Sequence, residues 1–128
     1  MRRLFPGLMW LLLVGCAPKL NLEKKLFDLD TGGKTYDLQA VKAEQKIYVD
    51  ATATGGNIDV YVFLTKNKAA VEKDIFAKRF GSVIEHAEDK ETVSLQATIP
   101  GNEEATVWVK ATNQKKPAVS VEIRNKPK

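Results

Sequence analysis

Residues 57–65 read NIDVYVFLT. Ile58, Val60, Val62 and Leu64 fall on one side of an extended chain, with Asp59, Tyr61 and Phe63 on the other. Side chains of a strand alternate with period two, so this stretch reads as a strand with one aliphatic face. Just before it, residues 45–53 read QKIYVDATA, with Ile47, Val49, Ala51 and Ala53 on one face and Tyr48, Asp50 and Thr52 on the other. Gly55-Gly56-Asn57 is a turn signal between the two runs, and the expectation is a hairpin.

The same period continues outward. Residues 91–99 carry Val93, Leu95, Ala97 and Ile99 on one face and end at the turn signal Pro100-Gly101-Asn102. Residues 106–112 align Val107, Val109 and Ala111 with Trp108 opposite, and residues 118–124 align Val119, Val121 and Ile123. Shorter candidates are 25–29, 36–38 and 82–86. Each run has one face for a core and one for solvent. The expectation is an all-β antiparallel sandwich of about seven to eight strands.

Residues 67–80, NKAAVEKDIFAKRF, break the pattern and predict one short helix, capped by Asn67 and stopped at Gly81. Val71 with Ile75, and Phe76 with Phe80, are spaced to share a helical face. The other arrangement open to this segment is a long irregular crossover. Tyr48, Tyr61, Phe63 and Trp108 all fall opposite the aliphatic faces of their strands. Three arrangements would suit them: cover by the helix through Phe76 and Phe80, a second core face, or an exposed patch for a sugar or protein partner.

Chemistry is thinly supplied. His86 is the single histidine, and Ser82, Ser94 and Ser120 lie in no Gly-x-Ser-x-Gly setting. One histidine and one cysteine do not make a zinc site. No enzyme activity and no cofactor are expected. Oxygen ligands for calcium exist at Asp50, Asn57 and Asp59, which the hairpin expectation would bring near one another, with Glu88, Asp89, Glu103 and Glu104 in other loops. These three residues are the candidate ligand-binding set, for calcium or a saccharide. The plainer account of them is solvated surface carboxylates and turn-forming Asn and Asp.

The N-terminus reads MRRLFPGLMWLLLVGC. Arg2 and Arg3, an apolar run from Leu4 to Val14, and a small residue before Cys16 are the parts of a secretory signal. The run falls short of the roughly 20 residues that a transmembrane helix needs. Leu13-Val14-Gly15-Cys16 resembles the lipobox of bacterial lipoprotein precursors. That resemblance implies a diacylglyceryl group on Cys16, cleavage before it and acylation of the new N-terminus. An ordinary signal peptide would carry Cys16 only by chance; Arg2-Arg3 before Leu4-Phe5 is also compatible with a twin-arginine signal, although basic pairs are ordinary in n-regions. Residues 1–15 are then a signal peptide, 16–25 a lipidated tether and 26–128 the sandwich domain. The place implied is a bacterial membrane, with the lipid on Cys16 as the contact. In the Gram-negative members an aspartate after the cysteine favours the inner membrane; Ala17 stands here, which implies the outer one.

The chain of 128 residues has 20 basic and 16 acidic side chains. Loss of Arg2 and Arg3 with the signal leaves 18 against 16 over 113 residues, one domain with no basic footprint for nucleic acid. With Cys16 lipidated no thiol remains, so packing and hydrogen bonding alone must hold the fold. The run from Thr54 to Leu64, and Asn102-Glu103-Glu104 ahead of a strand, resemble pre-peptidase C-terminal domains and related jelly-roll accessory domains over about residues 36–125. The segment 67–80 departs from their pattern. This resemblance implies a non-catalytic module for binding, secretion or folding support; for such a module set on a membrane, the expected partner is another envelope protein.

Overall fold

A computed structural model describes residues 20–30, 32–113 and 116–127. Cys16 and the signal segment lie outside the described residues. Among these residues eight strands form two antiparallel sheets: β1 (Asn21–Asp28), β2 (Lys34–Leu38), β3 (Gln45–Thr54), β4 (Ile58–Leu64), β5 (Glu85–Lys90), β6 (Thr92–Ile99), β7 (Ala105–Ala111) and β8 (Ala118–Arg124). The first sheet has the order β1-β8-β3-β6 and the second β2-β7-β4-β5. A 3-10 turn (Thr65–Asn67) leads into α1 (Lys68–Phe76), the single α-helix among the described residues.

The aliphatic faces meet between the sheets as their alternation requires. Ile47, Val49, Ile58, Val60, Val62, Val107, Val109, Val119 and Ile123 are wholly buried there. Each such side chain contributes about 1.5–3 kcal/mol on leaving water, which makes this interface the main source of stability.

Five findings correct the sequence reading. The first concerns Gly55-Gly56-Asn57, which is an arch and not a hairpin. β3 pairs with β6 and β8, whereas β4 pairs with β5 and β7 in the opposite sheet. Gly55, at φ +90°, supplies the left-handed conformation that lets the chain step between layers. Both strands still turn their aliphatic sides inward, which is why alternation alone did not separate the two arrangements.

The second is the tether. β1 starts at Asn21 and pairs with β8 from Asn21↔Arg124 onward, so residues 21–25 belong to the domain. The third is the candidate strand at 82–86: β5 runs over Glu85–Lys90, and Ile84 only donates a backbone bond to the Val62 carbonyl.

The fourth is the helix end. α1 stops at Phe76, because Lys78 adopts φ 59°. The Lys78 amide then donates to the Ile75 carbonyl at 2.9 Å and the Arg79 amide to the Asp74 carbonyl at 2.7 Å. This closes the last turn in a Schellman arrangement without the glycine that usually supplies it. Asn67 precedes the helix but makes no side-chain cap. The entry is held instead by a hydroxyl pair, Thr65 to the buried Thr106 at 2.8 Å, with Thr106 donating to Asp37 at 2.9 Å.

The fifth is Phe76. Val71 and Ile75 face the second sheet and are buried, and Phe76, one residue further round the helix, is 93% exposed. The predicted Phe76–Phe80 pair needed helix through residue 80 and is lost when the helix ends early.

Candidate functional site

The outer face of the second sheet concentrates the side chains that carry chemistry. β4 is buried on both sides. Tyr61 and Phe63 lie wholly buried under Val71 and Ile75 of α1, with Phe80, Val83 and Trp108 packed around them. Of the three arrangements open to the aromatic residues, cover by the helix is found for Tyr61, Phe63 and Trp108 but not for Tyr48, and Phe76 takes no part in it. The aliphatic pair of α1 supplies it, and Phe80 arrives from the loop after the helix.

Four rings form a row. Trp108 lies 5.7 Å from Tyr61, centroid to centroid, and Tyr61 lies 6.5 Å from Phe80. Phe80 stacks on His86 at 4.1 Å with 8° between the planes. His86 is thus exposed on one side and stacked on the other, and among the described residues no serine or carboxylate is hydrogen-bonded to it.

A polar network borders the row. Asp59 is 4% exposed. One of its oxygens accepts from the Asp89 amide at 2.8 Å and the Thr112 hydroxyl at 2.6 Å, and the other lies 3.4 Å from Lys110 Nζ. Asn57 donates through Nδ2 to Asp89 at 2.8 Å. The Tyr61 hydroxyl donates to Glu88. Burial, then that bond and the negative charges of Asp59 and Glu88, push the Tyr61 hydroxyl far above its ordinary range.

The three candidate ligand residues therefore do not converge. Asn57 and Asp59 share Asp89 and hold β4 to β5. Asp50 sits on the outer face of the other sheet, paired with Arg124 and accepting from Ser94 at 2.9 Å. Among the described residues no three His, Cys, Asp or Glu side chains cluster as a metal site. Tyr48 also belongs to that other face, with the Arg124 guanidinium 5.6 Å from its ring centre. Lys110 and Thr112 were missed as members of the Asp59 network. The signal for Lys110 was present, since period two in residues 106–112 puts it on the side of Trp108 and directly opposite Asp59.

One cleft opens on this face. It has a volume of about 250 Å³ and is lined by Gly32, Gly33, Thr35, Phe63, Lys68, Glu72 and Trp108. The indole nitrogen donates to the Gly32 carbonyl at 3.1 Å, which fixes the ring as the cleft wall. Gly33 takes φ +82°, and a Cβ there would collide with the Val109 carbonyl oxygen. A second, larger cleft of about 350 Å³ lies at the N-terminal end, with Leu20, Leu22, Leu38 and Val41 in its walls.

No family model matches the chain, and no curated protein matches it. Solved structures do. The pre-peptidase C-terminal domain of collagenase from Bacillus anthracis is similar over 82% of this chain and 88% of that one, with 7% identity and a TM-score of 0.52. The C-terminal CBM6 of LamC, a marine laminarinase from Zobellia galactanivorans, covers 84% and 99% with 7% identity and a TM-score of 0.44. At 7% identity the likeness to the collagenase domain is one of fold. It agrees with the β-sandwich built above and with the fold that the accessory-domain resemblance implied.

Proposed function

We propose that the chain is a non-catalytic accessory module held on the bacterial envelope by a lipid on Cys16, where it meets another envelope protein. The observation that carries this reading is the spacing of Leu13-Val14-Gly15-Cys16 from the fold. Four residues separate Cys16 from Asn21, where β1 is already paired to β8. At about 3.3–3.6 Å per extended residue, such a link keeps the sandwich within roughly 20 Å of the bilayer. Ala17, in place of aspartate, favours the outer membrane in a Gram-negative host. The non-catalytic part is supported by what the polar side chains do: Asp59, Asp89, Glu88 and Asp50 each hold strands together.

The test is metabolic labelling with a fatty acid in the native host. The native chain should take up label and partition into detergent, and Cys16→Ser should do neither. Equal labelling of the two would contradict the reading. Two acyl chains anchor stably where one does so marginally, so mass spectrometry of the N-terminal peptide should find at least two.

One observation favours a second reading. Trp108 is half-buried and forms a wall of the cleft that also holds Lys68 and Glu72. A flat indole beside two charged groups suits a saccharide ring. In a Trp10→Phe background Trp108 is the only tryptophan. Its emission should shift on titration with envelope glycans under this reading and stay constant without it.

A further inference from the structure

Each sheet ends in two edge strands, and a free edge offers unpaired backbone groups to any other strand. Three of the four edges here are blunted. β1 carries Glu23, Lys24, Lys25 and Asp28 and breaks register between Lys24 and Phe27. β2 has five residues, with Lys34 and Asp37 among them. β5 reads EHAEDK, shifts register opposite Ile58–Val60 and places Asp89 at φ 58°. The fourth edge has none of these devices. β6 reads TVSLQATI, eight residues without a charge, a proline or a glycine. Its register with β3 runs unbroken from Gln45↔Ile99 to Thr52↔Thr92.

A second feature sits on the same strand. Val93, Ala97 and Ile99 are buried between the sheets, but Leu95, in the middle of that inward row, is only partly covered. On the outward side, Thr92, Ser94, Gln96 and Thr98 are exposed.

We propose that β6 is the strand through which two copies of this chain join, antiparallel, about a two-fold axis at Leu95. A two-fold normal to the sheet keeps inward side chains inward, so opposite residues must share a face. Centred on Leu95, it sets Leu95 against Leu95 of the second copy and Val93 against Ala97, all facing the core. It sets Ser94 against Gln96 and Thr92 against Thr98 on the outer face. The register covers the partly open Leu95 of β6 and places only neutral side chains across the seam, where like charges would repel. Any of the other three edges would set charged side chains into such a seam. The first sheet then continues as eight strands through the pair. This inference goes beyond the anchoring reading and does not rest on it. On a membrane, it sends the two N-terminal ends in opposite directions along the strands, so the pair lies with its strands along the bilayer.

The experiment uses the full chain in mild detergent with Cys16→Ser, which leaves any introduced cysteine as the sole thiol. Opposite residues of an antiparallel pair have Cα atoms about 4.5–5.5 Å apart, within disulfide range. Leu95→Cys should therefore give a covalent dimer on mild oxidation. Thr92→Cys, more exposed and on the same strand, should stay monomeric, because two copies of residue 92 lie roughly 20 Å apart at about 3.4 Å per residue. Light scattering should show the unmodified chain as a dimer and Gln96→Lys as a monomer that still unfolds cooperatively, its melting temperature lower only by the lost association and independent of concentration. Equal cross-linking of both cysteine variants, a chain that is monomeric at every concentration, or a Gln96→Lys dimer would each overturn the proposal. So would a monomer whose β6 edge binds a different envelope protein.

Discussion

The two sheets share one inner design and differ on their outer faces. Inside, both present valine, isoleucine and alanine at every second position, and the rows interlock. Outside, the first sheet carries a half-buried polar layer of Tyr48, Asp50, Glu122 and Arg124 with Thr52 exposed and no helix over it, and the second shows Tyr61, Phe63 and Trp108 to a helix. An aromatic residue on an outward position therefore does not by itself announce a binding face. Tyr48 sits alone among polar neighbours and is shielded by a guanidinium. Tyr61 and Phe63 sit on one strand with Trp108 beside them, and together they offer enough apolar surface for α1 to cover.

The largest expected effect tests the shared interior. Val62→Asp would bury an unpaired charge between the sheets and should cost at least about 3–5 kcal/mol, enough to unfold a marginal domain. Thr52→Asp, on the bare face of the first sheet, should stay within about 0.5 kcal/mol. Equal melting temperatures would mean that the inner and outer faces are assigned wrongly.

The next effect contrasts two carboxylates. Asp59→Ala strands the Asp89 amide and the Thr112 hydroxyl beside a buried position and should cost about 1–3 kcal/mol. Asp50→Ala, on the other sheet, removes a carboxylate that is itself 34% exposed and leaves Arg124 beside Glu122 at 3.4 Å, so it should cost less, about 1 kcal/mol. If Asp50→Ala is the worse of the two, the bare face is less solvated than the comparison holds.

A smaller effect appears in alkali. The folded state holds the Tyr61 proton well above the ordinary tyrosine value of 10.0. The stability this confers is complete below about pH 10 and falls as pH rises beyond it, where the unfolded chain gives up the proton first. Tyr61→Phe should cost about 1 kcal/mol at neutral pH through the lost Glu88 bond, and should melt with a shallower alkaline decline than the native chain. Parallel declines would place the hydroxyl in solvent.

Strand positions were legible because period two is a local property. Residues 118–124 form the strand their alternation predicts, and residues 45–53 and 91–99 come within one residue. The partner of each strand was not. Gly55-Gly56-Asn57 can close a hairpin or an arch, and the choice depends on β6, β7 and β8, far along the chain. The clue lay in residues 58–64 themselves, where the face opposite the valines holds Tyr61 and Phe63, marking a strand covered on both sides. Asp50 and Asp59 were grouped only because the hairpin would have joined their strands. β1 was placed four residues late because its start, Asn21 to Lys25, is an edge strand whose charged side chains mask the alternation. The helix end at Lys78 left no mark, since a lysine in the left-handed region is a tertiary outcome at a cost of roughly 1–2 kcal/mol.

The contrast between a covered and a bare sheet rests on how α1 is turned, and two adjacent residues test it. Ile75 is buried against Tyr61 and Phe63, and Phe76 points to solvent. Thermal unfolding of Ile75→Ala and Phe76→Ala should separate them, with Ile75→Ala losing about 2–5 kcal/mol and Phe76→Ala staying within about 0.5 kcal/mol of the native chain. A Phe76→Ala variant that melts as low as Ile75→Ala, or lower, would mean that the helix presents its other side to the sheet.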